Sequence, residues 1–356
     1  MILSIVIMPI AAAGQNYATD SLIKWIHSHP TVDSQYILNL HRISYRLCET
    51  DIKRSYEYYQ KVAFYSDSID FVYGKSLAKI NLGILYHNST NYDASNTVYL
   101  EALAYAKKCN SMRLRSVSLN NLAQNFRELQ NITKCKQYLK EAADINIQLK
   151  AWRGAATNFE LLQECDFEDK LYDSAKHSLV TGLPYALLAD EHSLLSMFYN
   201  GFGKMYAINN QPDSAEWYFS RALAEAGRDG NLRSASQALF ARATYTQNIN
   251  FGRKKILLAH AMQIAQQGDY PEGVADVAKY FYDYYNEIGK TDSSMFYYKI
   301  YRNTTDSILS DHNLRKLRFS ETEWAIKKKD LLNQQLKDYA TLQDKEIILK
   351  TNYCSH

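Results

Sequence analysis

The stretch that decides the fold runs from Asn81-Leu82-Gly83-Ile84-Leu85-Tyr86, through Asp93 and Tyr99, to Ala102-Leu103. Large and small apolar residues alternate here at helical spacing, around a polar break that holds a helix-capping residue type. The same order returns along the chain. The strings Tyr92-Asp93-Ala94-Ser95, Tyr172-Asp173-Ser174-Ala175 and Pro212-Asp213-Ser214-Ala215 share a phase, Thr133 fills the slot between the first two, and Thr291-Asp292-Ser293-Ser294 is a similar string further on. A side-chain oxygen at a helix start accepts a bond from free backbone N–H groups. The spacing therefore predicts helix starts near Asp93, Thr133, Asp173 and Asp213, at a period of 40.

The apolar positions keep that period. Leu82-Gly83, Leu122-Ala123, Leu162-Gln163 and Phe202-Gly203 precede the breaks, with an aromatic residue three further on at Tyr86, Phe126 and Tyr206. Behind the breaks come large residues at Tyr59, Tyr99, Leu139, Leu179 and Phe219, then small ones at Ala102, Ala142, Gly182 and Ala222. Such alternation lets a ring on one helix sit against a missing side chain on its neighbour.

This order resembles the tetratricopeptide repeat, with a unit of about 40 residues where the family usually has 34. The Phe202-Gly203 unit, with Tyr206, Ala215, Phe219 and Ala222-Leu223, is the second clearest copy. The resemblance covers residues 36–302, about seven units, with phase drift after Tyr245. It implies an all-α, right-handed superhelical solenoid of antiparallel helix pairs, like the long-repeat members in bacterial signalling proteins.

Composition agrees with long helices. The chain has 356 residues, with 29 tyrosines against 13 glycines and 5 prolines, fewer breakers than strand-and-turn folds need. Nine of the 41 basic and six of the 38 acidic residues lie in 312–350, leaving 32 of each sign elsewhere. A neutral array offers no electrostatic footprint for nucleic acid. Five cysteines without a CxxC pair signal neither a zinc site nor a disulfide framework.

The ends read differently. Residues 1–14, an apolar run followed by Ala11-Ala12-Ala13-Gly14, resemble the end of a secretory signal peptide without its basic start; a buried first helix is the other reading. Residues 15–35 form a leader or first helix. Residues 303–350 read as a long helix or coiled-coil stalk, with apolar steps at Leu314, Leu317, Trp324, Leu331, Leu332, Leu336, Tyr339 and Leu342. That stalk (306–350) is a candidate for self-association, and 351–356 read as a disordered end. Start, array and stalk together resemble exported sensors whose stalk continues into a membrane span, which implies an exported or membrane-associated regulator.

Sequence patterns for chemistry are lacking. Gly201-Phe202-Gly203-Lys204 falls inside a repeat helix and is no phosphate loop, and there is no HExxH or nucleophile-elbow motif. A non-enzymatic scaffold with no cofactor is expected. In tetratricopeptide arrays the first helix of each unit lines the concave face. The resemblance thus puts Asn120, Gln124, Arg127, Glu160, Glu164, Asn200 and Lys204 in a groove. Amides there suit a peptide backbone, and the charges add selection for an acidic group. The expected partner is a peptide or protein segment. Two alternatives stay open: an adaptor that assembles a complex, and a cytoplasmic peptide-pheromone receptor.

Overall fold

The computed structural model describes residues 10–246 and 249–353. Among them are fifteen helices and no strand. After α1 (Ile10–Ser28) and α2 (Ser34–Leu47) the chain settles into a strict beat: α3 (Ile52–Ser68), α4 (Val72–Asn88), α5 (Tyr92–Lys108), α6 (Met112–Glu128), α7 (Ile132–Gln148) and α8 (Trp152–Glu168). It continues through α9 (Tyr172–Ala189), α10 (His192–Ile208), α11 (Pro212–Arg228), α12 (Leu232–Tyr245), α13 (Phe251–Gln267), α14 (Pro271–Glu287) and α15 (Thr291–Tyr353). The pairs α2/α3 to α14/α15 make seven units of a tetratricopeptide-like solenoid.

The 40-residue period is two 20-residue halves, each a helix and a three-residue turn. The turn does two jobs. Its middle residue takes a left-handed backbone at Asp70, Thr90, Asn110, Gln130, Lys150, Lys170, Asp190 and Asn210, every 20 residues, and Gly230 continues the series. This closes the preceding helix: Thr90 N–H donates to the His87 carbonyl (2.8 Å) and Asn91 N–H to the Tyr86 carbonyl (2.9 Å). Asn91 then opens the next helix by accepting from Ala94 N–H, as Asn131 accepts from Lys134 and Asn231 from Ser234.

The caps are thus not at Asp93, Thr133, Asp173 and Asp213. Helices begin at 92, 132, 172 and 212, so these residues lie inside the first turn. A carboxylate there complements the helix dipole without being the cap, which explains the recurrence at 93, 173 and 213.

The large/small alternation packs as expected. A Cβ added to Gly83 would lie 2.3 Å from the Tyr99 ring, and one added to Gly203 would lie 2.6 Å from Phe219. Tyr99, Leu139, Leu179, Phe219, Ala102, Ala142 and Ala222 are all buried. Buried serines at the same 40-residue phase tie three of the units across their pairs. Ser76 donates to the Ala102 carbonyl (2.9 Å), Ser196 to Ala222 (2.8 Å) and Ser236 to Ala261 (2.9 Å). Cys135 and Cys165 meet as thiols, sulfurs 3.8 Å apart.

The ends depart from the sequence reading. Residues 1–9, most of the signal-like run, lie outside the described residues, while Ala11 to Gly14 belong to α1 rather than to a separate segment. No helix among the described residues is long and apolar enough to cross a membrane. Residues 351–353 continue α15, so the chain end is helical at least to Tyr353; 354–356 lie outside. Residues 303–350 are helical as expected, but not a separate element. They extend the second helix of unit seven into one helix of 63 residues, about 95 Å long at 1.5 Å per residue. Its middle returns to the first units. Phe319 is buried against the rings of Tyr56 and Tyr86, Ile326 is buried beside it, and Tyr86 Oη donates to Glu323 at 2.8 Å. One face of α15 straps the two ends of the solenoid together. Beyond Ile326, Leu331, Leu332, Leu336, Tyr339 and Leu342 are exposed.

Candidate functional site

Successive first helices touch one another, α2 to α4 to α6 and α8 to α10 to α12 to α14, while the second helices are held apart. The first helices therefore line the inside of the curve. Cavities open between them, and the seven residues expected at the groove fall into three environments.

Glu160, Glu164, Asn200 and Lys204 converge on one cavity of about 210 Å³ between α8, α10, α12 and α14. Gln163, Gln237, Tyr270 and Asp276 complete its polar lining, with Met197, Phe240 and Tyr245 as apolar wall. Glu160 is buried, and burial and the neighbouring Glu164 carboxylate push its pKa well above the usual carboxylate range. Burial raises Asp276 as well, with Glu272 adding to it. The amide oxygens of Asn200 and Gln163 are buried without a hydrogen-bond partner. Lys204 holds its ammonium over the rings of Phe167 and Tyr245, 5.5 and 5.9 Å from their centroids.

Arg127 is committed inside the protein. Its guanidinium bridges Glu164 and Glu168, each at 2.9 Å, and these carboxylates hold it firmly protonated. It clamps α6 to α8 and is not free to select an acidic group. Asn120 is likewise engaged, accepting from Asn158 Nδ2 at 2.5 Å. It ends a chain in which Ser116 donates to Asn146 (2.6 Å) and Asn146 to Asn158 (2.8 Å). Residues 120, 160 and 200, one period apart, are not equivalent, because Asn120 is pinned by α8 while Glu160 and Asn200 face the cavity.

Gln124 is exposed and faces the other half of the groove. There it lines a cavity of about 420 Å³ with Arg46, His87 and Asn121. Sharing the Asn121 wall is a larger cavity, about 610 Å³, between α2, α4 and α6. Leu38, Tyr73, Leu77, Ile80, Ile84, Leu114 and Val117 give it an apolar floor, and Arg42 and Arg113 stand at its edge. Burial lowers His41 there to about 4, so its imidazole is neutral at physiological pH.

Sequence reasoning missed Gln163, Gln237, Asp276, Arg42 and Arg113. Gln163 carried a readable signal: it occupies the slot that holds Gly83, Ala123 and Gly203 in sister units. A long amide where packing calls for a small residue marks a place where the repeat rule yields to something else. Asp276 lay beyond the phase drift.

No family model matches the sequence, and no curated protein sequence matches it. Solved structures do. The chain is similar to a Rap protein crystallised with Competence and Sporulation Factor (TM-score 0.60, 14% identity, 82% of this chain and 81% of that one). It is similar to the apo form of RapI (TM-score 0.63, 14% identity, 77% and 99%). It is also similar to NprR in complex with its cognate peptide NprX (TM-score 0.56, 15% identity, 90% and 94%). At this identity the likeness is one of fold.

Proposed function

We propose that the chain is a non-enzymatic receptor that holds a peptide, or an extended segment of a protein, along the concave face of its first helices. The observation that carries this is the pair of buried, unpartnered amide oxygens of Asn200 and Gln163 beside the cavity between α8 and α14. A buried polar group without a partner costs free energy, so such groups at a cavity point to a missing donor. An extended peptide supplies donors at regular intervals. The cavity between α2, α4 and α6 then offers an apolar seat for one of its side chains.

The fold neighbours support the receptor reading over the exported-sensor and adaptor readings. One of them was crystallised with its cognate peptide and another with Competence and Sporulation Factor, and both match along most of their length. The peptide-receptor alternative is therefore ranked ahead of the exported sensor. No catalytic step is assigned. Self-association through the exposed apolar residues of α15, Leu331 to Leu342, is a secondary proposal; sedimentation of the chain with and without residues 330–356 tests it.

The test of the main reading is fluorescence anisotropy with labelled random nonapeptide pools. Binding should weaken 5-fold or more in Asn200→Ala, because truncation strands a desolvated peptide group at a cost of about 1–3 kcal/mol. Loss of binding on changing the exposed outer residue Trp217 of α11, with Asn200→Ala binding as wild type, would move the site out of the groove.

A further inference from the structure

The cavity between α8, α10, α12 and α14 has an excess of acceptors. Glu160, Glu164 and Asp276 bring carboxyl oxygens, and Gln163 and Asn200 bring amide oxygens that are buried and without partners. Against these stands one cation of the lining, Lys204, which rests on the rings of Phe167 and Tyr245. Gln237 spends an amide hydrogen on Tyr270 Oη, 3.3 Å away. Arg127 nearby is saturated by Glu164 and Glu168, and Arg233, stacked on the Tyr270 ring, pairs with Glu272. The lining thus sets three carboxyls against one ammonium.

The carboxyls show the same shortage. Burial and the adjacent Glu164 push Glu160 well above the usual carboxylate range against the pull of Arg127 and Lys204, and burial raises Asp276 against that of Lys279. The groups facing Glu160 are Glu164 on its own helix, Arg127 from α6 and Lys204 from α10, with Asp276 across the cavity on α14. A donor-rich cation entering this chamber would satisfy the amide oxygens and stabilise the ionised carboxyls together.

We infer that this chamber seats the guanidinium of an arginine side chain of the bound peptide, between Glu160, Asp276 and the amide oxygens of Gln163 and Asn200. Guanidinium fits better than ammonium because it presents five N–H donors in a fixed plane, matching acceptors spread over two facing helices and α14. The apolar walls Met197 and Phe240 suit the side-chain stem. The inference rests on the peptide-groove reading and gives it a specificity: a basic residue at the α8–α14 end, and none required at the apolar chamber between α2 and α6.

The test uses labelled nonapeptide pools, N-acetylated and random except at one fixed central position that holds arginine, lysine, citrulline or glutamate. Citrulline keeps the shape of arginine and removes its charge. The arginine pool should bind about 10- to 100-fold tighter than the citrulline pool, as expected when charge-assisted hydrogen bonds are exchanged for neutral ones. Lysine should fall between them. In the double variant Glu160→Gln, Asp276→Asn, the preference should collapse to within 3-fold while the citrulline pool still binds, with a circular dichroism melt confirming the fold. Equal binding of arginine and citrulline pools, or tightest binding of the glutamate pool, overturns the arginine seat and leaves the peptide groove standing. If no pool binds, N-butylguanidinium decides separately. Thermal stabilisation by millimolar N-butylguanidinium, lost in the double variant and not given by N-butylurea, supports the seat while the peptide reading falls. No such stabilisation sinks both.

Discussion

Gly203 offers the sharpest check of the packing. It lies in α10, and a Cβ placed on it would stand 2.6, 2.7 and 3.0 Å from three carbons of the Phe219 ring. That ring is fully buried and cannot swing aside. Ordinary carbon contacts lie at about 3.5–4.0 Å, so the ring must retreat by about 1 Å or the helices must part. Replacing Gly203 by alanine gains about 1 kcal/mol of helix propensity and meets an overpacking cost of about 1–3 kcal/mol. The net expectation is a loss of about 0–2 kcal/mol, growing to about 3 kcal/mol for leucine. Gly227 is the internal control: it is helical, exposed, and nothing lies within 4 Å of an added Cβ. Gly227→Ala should therefore stabilise, by about 0.5–1 kcal/mol. Urea titrations followed by circular dichroism give both values. The Phe219→Leu background, where the ring is gone, should relieve most of the Gly203→Ala penalty. If Gly203→Ala stabilises as much as Gly227→Ala, the close approach of α10 and α11 is wrong.

Three further outcomes are expected. Lys150→Gly and Gln130→Gly should each raise stability by about 0.5–1 kcal/mol, since both residues hold a left-handed backbone that costs a side-chain-bearing residue about 1–2 kcal/mol and glycine less; a lower melting temperature in both would contradict the turn geometry. Burial and Glu164 raise the Glu160 pKa in the fold above its unfolded value, so stability falls as pH rises above the unfolded carboxyl range of about 4.3; Glu160→Gln should flatten that fall, and parallel stability–pH curves would refute it. Phe319→Ala should cost about 3–5 kcal/mol of local stability and speed amide exchange over residues 316–328, whereas unchanged protection there would mean the α15 strap is not docked.

The solenoid was legible because its rule is repetitive and written in size: Gly83 against Tyr99 and Gly203 against Phe219 can be read from spacing alone. The 20-residue half-period was hidden, because the turns use Asp, Thr, Asn, Gln and Lys where glycine would have marked the left-handed position. Aspartates at the second helical position mimic caps, and that displaced the caps by two residues. The strap was also illegible. Phe319 and Ile326 are two apolar residues on an otherwise polar face, and only the curvature of the whole array brings Tyr56 and Tyr86 to meet them. In the groove, phase correctly brought Glu160, Glu164, Asn200 and Lys204 to one cavity. It could not show that Arg127 and Asn120 are consumed by neighbours from the next unit, since pairing across units depends on side-chain reach rather than period.

The central claim is that a peptide lies along the first helices, and photocrosslinking tests it most directly. A benzophenone side chain is placed at position 124, exposed on α6 in the groove, or at position 217, exposed on the second helix α11. The account predicts that the labelled arginine pool crosslinks from position 124, is competed off by excess unlabelled peptide, and gives background from position 217. Specific, competable crosslinking from 217 with background from 124 would contradict it.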